Sequence, residues 1–268
     1  MKFFSTFFAL FLFISCAHSK DKSYTASTPA GSMVRTFLGI PLNDSIDFIR
    51  WELKINDREF SLKCNYGIGK PNTNGFYDGG KRIEFKGKNT RENNCHHLQN
   101  GNKTLNLFEL NDDILHFLNE DKSLMIGNGG WSYALNSLSP VLSDKVNLAA
   151  KQNAIKDSIA FEGRTPCGVP GIIGEGKECY KLKWLVILYS NGTYKALGTP
   201  WRKEGGKKST WKNIAGKDGR IIYQLNDENE KPFIHLLKLD DGVLIFTDER
   251  GNLLVGNLDF SYTLNRRF

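Results

Sequence analysis

Two stretches of this chain, which align at an offset of 129 residues, decide its fold. Residues 107–136 are LFELNDDILHFLNEDKSLMIGNGGWSYALN, and residues 236–265 are LLKLDDGVLIFTDERGNLLVGNLDFSYTLN. They align without a gap, and thirteen of the thirty positions are identical. Self-similarity at a fixed offset is the signature of a duplicated structural unit. We therefore predict two related domains in tandem.

Upstream of these stretches the same order of signals returns with insertions. Phe37–Pro41 resembles Phe161–Pro166, and Arg50-Trp51 resembles Lys183-Trp184 at the head of an apolar run. On this alignment Trp51 and Trp184 should occupy equivalent places in the two domains.

Each copy has the sequence pattern of β-structure. Residues 131–135 alternate large apolar and small side chains, and residues 260–264 repeat the alternation, as a strand with one buried face does. Asn191-Gly192, between two apolar runs, predicts a tight hairpin. Many short strands separated by turns indicate an all-β fold, either a small antiparallel barrel or a sandwich in each copy.

Composition agrees with a folded, exported protein. The chain has 268 residues, of which 40% are hydrophobic, and its 18 Phe, 9 Tyr and 5 Trp exclude low-complexity disorder. The net charge of +7 comes from scattered Lys and Arg. The mild charge and the exported location argue against nucleic acid as a partner.

The N-terminus predicts the compartment. Residues 1–16, MKFFSTFFALFLFISC, have one early Lys and an apolar run too short to cross a bilayer. Cys16 directly after this run resembles the lipobox of bacterial lipoproteins, in which the cysteine is lipidated. The alternative is an ordinary secretory signal cleaved after Ser15 or Ala17. We expect a protein anchored to the membrane by lipid, with residues 16–33 as a flexible tether.

The second copy resembles a known family. Gly163-Arg164-Thr165-Pro166-Cys167, then Cys179, Lys183-Trp184 and Asn191-Gly192-Thr193-Tyr194, is similar to the N-terminal domain of NlpE-type lipoproteins. Copy two carries the pattern over most of its length, and copy one carries it weakly. The resemblance implies lipocalin-like barrels and an envelope role in copper tolerance or surface sensing, and it implies no enzyme. The protein would lie in the bacterial envelope, on the periplasmic face of the outer membrane or on the cell surface.

These observations give five segments: a signal peptide, a tether, barrel one, a connector and barrel two. Ser143 can cap a helical run over residues 144–157, so the connector is expected to contain a helix. The boundaries are 1–15, 16–33, 34–138, 139–157 and 158–268.

Apart from Cys16, four cysteines remain, and an even number in an exported chain indicates disulfides. Four cysteines allow three connectivities. The repeat favours one bond in each copy, Cys64–Cys95 and Cys167–Cys179.

Catalytic and metal signals are weak. Cys95-His96-His97 is the one cluster that resembles metal ligands, but alternation on a strand would turn His96 away from the other two. Gly171–Lys177 nearly spells a phosphate-binding loop, yet Glu178 follows where Ser or Thr is required. Neither His116 nor His235 is accompanied by a nucleophile. We predict no enzyme, no cofactor and no metal.

Aromatic residues suggest where a ligand could bind. We expect Trp51, Trp131 and Trp184 to be core residues, and Trp201 and Trp211, close to several Lys and Arg, to lie at the surface. Gly127–Trp131 could be a sugar-binding loop, although Gly256-Asn257 recurs and favours a turn with positive φ. The predicted role is non-enzymatic binding, sensing or envelope maintenance, with a small apolar ligand or an envelope protein as partner. The alternative is a surface glycan-binding or glycan-processing lipoprotein that uses exposed aromatic residues.

Overall fold

The structure, a computed structural model, describes residues 21–148, 155–172, 179–216 and 219–268. It is all-β and consists of two closed antiparallel barrels of eight strands each, as the duplicated strand pattern predicts. Barrel one is built from β1 Lys22–Thr28, β2 Phe48–Ile55, β3 Glu59–Gly67, β4 Lys81–Glu92, β5 Cys95–Asn100, β6 Lys103–Asn111, β7 Ile114–Phe117 and β8 Ala134–Ser137. Barrel two is built from β9 Ser158–Thr165, β10 Leu182–Tyr189, β11 Thr193–Gly198, β12 Lys207–Ala215, β13 Ile221–Asn226, β14 Pro232–Lys238, β15 Val243–Thr247 and β16 Thr263–Arg266.

Each strand pairs with the next along the chain, and the last strand of each barrel returns to the first. Tyr24 of β1 lies opposite Ser137 of β8, and Phe161 of β9 lies opposite Arg266 of β16. Every strand of the two described barrels therefore has a hydrogen-bonded neighbour on each side.

The two barrels share a tryptophan–threonine bond across neighbouring strands. Trp51 Nε1 donates to Thr28 Oγ1 at 2.8 Å, and Trp184 Nε1 donates to Thr165 Oγ1 at 2.8 Å. Both indoles are buried in their barrel cores. The predicted equivalence of Trp51 and Trp184 is thereby confirmed.

Barrel one begins earlier than the sequence led us to expect. Residues 16–33 were predicted to be a flexible tether, but within the described part of that stretch Lys22–Thr28 form β1 and close the barrel. Thr25 Oγ1 donates to the Trp51 carbonyl at 2.9 Å, so a small polar side chain of this strand is fully engaged. The prediction was wrong because a strand of Ser, Thr and Ala has the composition of a linker.

Because strand β1 is missed, the predicted alignment of the two copies is also wrong at their first strands. Because Ala26 pairs with Trp51 and Gly163 pairs with Trp184, the counterpart of Phe161–Pro166 is Tyr24–Pro29. The resemblance of Phe37–Pro41 to this segment is therefore not an equivalence.

A short helix fills one end of barrel one. Helix α1, Ser32–Leu38, begins after Gly31 and ends at Gly39, which adopts the left-handed conformation with φ of 72°. Its buried Phe37 packs against Phe60 and Phe85 in the barrel core. Barrel two has a loop closed by the Cys167–Cys179 disulfide after its own first strand, and Val169 of this loop is buried.

The connector was expected to contain a helix over residues 144–157. Residues 139–148 are not helical, and residues 149–154 lie outside the described residues. The Asp113 carboxylate accepts the backbone N–H groups of Val141 and Leu142 at 2.8 Å each, which fixes the start of the connector in an extended path along barrel one. Within the described start of the run, Asn147 N–H donates to the Leu110 carbonyl at 2.8 Å, so a contact with barrel one takes the place of a helical hydrogen bond there.

In the parts of the chain that the structure describes, no helix combines the length and the apolar character needed to cross a membrane.

Candidate functional site at the barrel junction

The repeated stretch forms the interface between the barrels. Ser132 and Ser261, which are equivalent positions 129 residues apart, meet with their hydroxyl oxygens 2.5 Å apart. Gly127 N–H donates to Asn265 Oδ1 at 2.7 Å, and Gly256 N–H donates to Asn136 Oδ1 at 2.9 Å. Each contact is matched by its repeat-related counterpart, as in a two-fold dimer interface. The identical residues of the repeat therefore mark contacts between the copies.

Apolar residues reinforce this polar seam. Leu110, Ile114 and Leu124 of barrel one belong to the same buried cluster as Leu239 and Val243 of barrel two. A continuous hydrophobic core across the interface joins the barrels as one body.

The loop Gly127–Trp131 was considered as a sugar-binding loop or as a turn that needs positive φ. Gly127 and Gly256 are conformationally ordinary, but a Cβ on either would lie 2.2 Å from the carbonyl oxygen of Trp131 or Phe260. Both glycines are thus required for close approach of the backbone. Gly129, with φ of 71°, is the residue of this loop that needs the left-handed region.

A stack of side chains crosses the junction from barrel one to barrel two. Phe76 stacks on Phe48 with ring centroids 4.3 Å apart, and Phe48 stacks on Trp131 at 4.6 Å. The Arg164 guanidinium of β9 covers Trp131 at 5.2 Å from the ring centroid. The stack therefore ends in a cation supplied by the other copy.

A second cation–aromatic group lies beside the stack. Lys181 Nζ is 5.0 Å from the ring centroid of Tyr180 and 5.5 Å from that of Phe260. Phe260 is buried, whereas Tyr180 is half exposed at 50%. We call Trp131, Arg164, Tyr180, Lys181 and Phe260 the junction site.

Charge at the junction is unbalanced. The one carboxylate of the surrounding loop, Asp259, pairs with Arg50 at 2.8 Å. Among the described residues no carboxylate lies within salt-bridge distance of Arg164 or Lys181. Burial lowers the pKa of Arg164, and burial followed by the charges of Arg164 and Lys183 lowers the pKa of Lys181. The charge of Asp259 acts on Lys181 in the opposite direction, but neither cation has a carboxylate of its own within salt-bridge distance among the described residues.

The imbalance comes from differences between the copies. Gly130 occupies the position equivalent to Asp259, so the repeat-related counterpart of the Arg50–Asp259 pair has no acid. Barrel register places Ser27 where copy two has Arg164, and Phe48 where it has Lys181. The two cations of the junction site are therefore present in copy two and absent from the equivalent positions of copy one.

The barrel interiors are filled by aromatic side chains. In barrel one Trp51 contacts Phe117, and in barrel two Trp184 contacts both Trp201 and Phe246. Trp201, which we expected at the surface, is buried, since it packs on Trp184 at the end of the barrel. Trp131 is only partly covered, and Trp211 is partly buried with its Nε1 donating to the Tyr189 carbonyl at 3.0 Å.

The cysteines divide between a confirmed and a wrong prediction. Cys167 and Cys179 form a disulfide with Cα atoms 6.0 Å apart. Cys64 and Cys95 are free. Cys64 of β3 points into the barrel-one core, whereas Cys95 of β5 packs outside it, and β4 separates the two strands by about 5 Å on each side. A bond between them is excluded by distance and direction. Cys16, the predicted lipid anchor, lies outside the described residues.

Strand alternation separates the Cys95-His96-His97 cluster as expected. His96 points into the barrel beside Asn89, at 3.0 Å, and His97 points outward to Asn106 Oδ1 at 2.8 Å. Over the described ranges no three His, Cys, Asp or Glu side chains converge as a metal site would require.

A buried charged group lies at the end of barrel one. Glu109 contacts Lys22 at 3.3 Å and also pairs with Arg91, and its Oε2 is 3.6 Å from His96 Nε2. Burial alone would raise the Glu109 pKa, but the interactions with His96, Lys22 and Arg91 outweigh it and lower the pKa to about 2. The positive charges of Lys22 and Arg91 balance the Glu109 carboxylate, so we assign this group a structural role in the barrel.

His116 and His235 show no catalytic arrangement. His116 is fully buried, its Nδ1 lies 2.9 Å from the Phe117 carbonyl, and burial lowers its pKa to about 4. Desolvation also lowers the pKa of His235. Neither ring is bonded to a serine or cysteine of the described chain.

Two cavities lie away from the junction. One of about 300 Å³ is lined by Ile46, Tyr66 and Tyr77 at the end of barrel one, where Asp44 already pairs with Lys81 at 2.8 Å. Another of about 460 Å³ is lined by Thr199 and Arg202. In the 300 Å³ cavity the charges of Asp44 and Lys81 pair with each other, whereas at the junction site no described carboxylate lies within salt-bridge distance of Arg164 or Lys181.

Fold and site together define a tandem pair of filled, fused barrels with a basic, aromatic surface at their junction. Comparisons with protein-family models, with curated proteins and with solved structures find no match to this chain.

Sequence reasoning missed the junction site. In the sequence Arg164 belongs to the Gly163–Cys167 motif, and Lys181 follows Cys179 by two residues. Their approach to Trp131 and Phe260 depends on how the copies pack, and that packing leaves no local signal in either segment.

Proposed function

We propose that this chain is a non-enzymatic, lipid-anchored protein of the bacterial envelope with a binding or sensing role similar to that of NlpE-type lipoproteins. Anchoring rests on Cys16 and the apolar run before it. The body would face the periplasm or the outside of the cell from the outer membrane.

The observation that carries the binding role is the pair of unneutralised cations at the junction, Arg164 and Lys181. Holding two like charges together in a partly buried place opposes folding unless a ligand or partner compensates them. Barrel one closes in the same way without them, so the fold does not require either charge.

The location of the proposed binding surface follows from packing. Trp51, Trp184 and Trp201 occupy the barrel interiors, and an eight-stranded barrel has room for packed side chains or for one small ligand. An apolar molecule inside a barrel would have to displace these rings. We therefore propose recognition on the outer surface, of a small ligand or of an envelope protein.

A glycan-binding role is the second candidate. Tyr180 is half exposed and Trp131 partly so, and aromatic faces at a surface suit sugar rings. If neutral sugars bound to the Tyr180 ring without any contribution from Arg164 and Lys181, that result would favour glycan binding over the binding of a charged ligand.

The anchoring part of the proposal is tested with Cys16→Ser. We expect the wild-type chain to partition into detergent with the membrane fraction, and the variant to be recovered in the soluble fraction with the same fold. Equal partitioning of the two proteins would contradict lipid anchoring.

The binding part is tested by native mass spectrometry of the chain extracted from its own envelope in mild detergent. We expect a non-covalent adduct on the wild type that is lost from Arg164→Gln and kept by Lys208→Gln, which removes an exposed charge on β12. A wild-type chain that carries no adduct would contradict the binding role.

A further inference from the structure

We propose that the junction site binds a phosphate ester, with Arg164 and Lys181 as its two ligands. The inference rests on the proposed binding function and adds the chemical class of the ligand.

The guanidinium of Arg164 is held in place before any ligand arrives. One face lies on Trp131, which stacks on Phe48, and Phe48 stacks in turn on Phe76. No hydrogen bond from Arg164 reaches another side chain in the described structure, so its N–H edge is available. A fixed guanidinium with a free edge is suited to bidentate contact with phosphate oxygens.

Lys181 supplies the second charge. Its ammonium lies over Tyr180 and Phe260, and it is close enough to Arg164 to feel that charge. The charge of Asp259 acts on Lys181, but Arg50 already engages this carboxylate at 2.8 Å. Glu162, two residues before Arg164, faces Arg267 at 3.9 Å. Two positive charges therefore remain for an external anion.

The comparison of the copies shows that the fold does not require these cations. Ser27 and Phe48 stand at the equivalent places of copy one, and both barrels close with the same topology. Residues that the fold does not need, and that repel each other, have a physical reason to be there if an anion binds between them.

The charge and the rings select the ligand class. A phosphate monoester carries about −1.5 to −2 charge at pH 7, which matches one guanidinium and one ammonium. The exposed ring of Tyr180 adjoins the cations and offers an apolar face to whatever carries the phosphate. The carrier could be a soluble sugar phosphate or a lipid headgroup, and the phosphate ester is the chemistry they share.

The experiment is calorimetric titration of the full chain carrying Cys16→Ser, so that no acyl chain contributes to membrane binding. Glucose 6-phosphate, glucose, and vesicles of phosphatidylcholine with or without phosphatidic acid are the probes. Arg164→Gln and Lys181→Gln are compared with Lys208→Gln, which makes the same change in net charge. Circular dichroism checks the fold of each variant.

We expect binding of glucose 6-phosphate, of the phosphatidic acid vesicles, or of both, and the responding probe identifies the source. Loss of either cation should weaken binding at least about tenfold, as the loss of a charge-assisted hydrogen bond does, and Lys208→Gln should not. Equal binding of glucose and glucose 6-phosphate would overturn the phosphate inference but leave a binding role intact. Binding that ignores Arg164→Gln and Lys181→Gln, or no binding of any probe, would overturn the inference outright.

Discussion

Glu109 and Lys238 occupy the same place in the two copies, 129 residues apart, and carry opposite charges. Each is buried and each has its own partners: Lys22 and Arg91 for Glu109, and Asp241 for Lys238 at 2.5 Å. The position tolerates either sign as long as the neighbouring residues supply the other. At the junction, by contrast, no carboxylate of the described chain lies within salt-bridge distance of Arg164 or Lys181, and Asp259, which acts on Lys181, is already paired with Arg50.

The lowered pKa of Glu109 predicts a pH dependence of stability. Its pKa is about 2 in the folded chain, against about 4.3 for an unfolded glutamate. The stabilisation is therefore present above about pH 4.3 and is lost as the pH falls toward 2. Glu109→Gln should lower the free energy of unfolding at neutral pH by about 1–3 kcal/mol, because it removes the charge that interacts with His96, Lys22 and Arg91. It should also flatten the fall in stability between neutral and acidic pH.

Urea unfolding of the wild type and Glu109→Gln across this pH range checks the prediction. Glu52→Gln, which removes an exposed carboxylate of β2, is the matched control and should follow the wild type. An equal acid sensitivity of Glu109→Gln and wild type would show that Glu109 does not carry the effect.

At the scale of elements, the two barrels end differently. Barrel one has α1 with Phe37 packed in the core, and barrel two has a loop closed by Cys167 and Cys179. A helix and a crosslink thus fix the chain at corresponding points after the first strand.

The crosslink should stabilise barrel two by restricting the unfolded chain. For a separation of 12 residues the chain-entropy model gives about 3 kcal/mol. Replacing both Cys167 and Cys179 with alanine should lower the free energy of unfolding by about that amount. Denaturant unfolding under oxidising conditions measures it, and reduction of the wild type should give the same loss. A reductant that further destabilises the double variant would point to a second disulfide, which the free Cys64 and Cys95 exclude.

The sequence predicts those elements that have a local sequence pattern, and it misses those that depend on contacts with distant segments. The repeat and the alternation in residues 131–135 and 260–264 are local, and they predict two β domains. The disulfide in copy two is predicted from the even number of cysteines and the repeat, and the same argument wrongly predicts a Cys64–Cys95 bond. β1 is missed because its Ser and Thr residues are buried by neighbours from β2, which composition does not record.

The candidate site is less predictable for a related reason. Arg164 belongs to copy two and Trp131 to copy one, and their contact depends on the packing of one copy against the other. Cys64 and Cys95 fail as a pair because the barrel wall turns them to opposite sides. In both cases the packing of distant segments determines which side chains meet, and the sequence of either segment alone does not show that packing.

At the scale of the whole molecule, duplication has produced one body from two barrels. Ser132 meets Ser261, and Asn136 and Asn265 each bind a glycine of the other copy. The symmetry of this seam is interrupted where Gly130 replaces an acid and Arg164 and Lys181 add charge. The binding surface that we propose therefore exists only because the copies have diverged on a shared interface.

The central claim, that Arg164 and Lys181 stand uncompensated in the free protein, is tested most directly by thermal unfolding at low ionic strength. Arg50→Gln breaks the pair with Asp259 and should lower stability by about 1–3 kcal/mol, because the carboxylate is left unpaired. Lys181→Gln should leave stability within about 0.5 kcal/mol of the wild type or raise it, because the lost contacts with Tyr180 and Phe260 are offset by relief of repulsion. A loss for Lys181→Gln as large as that for Arg50→Gln would mean that this cation already has its partner, and would contradict the account.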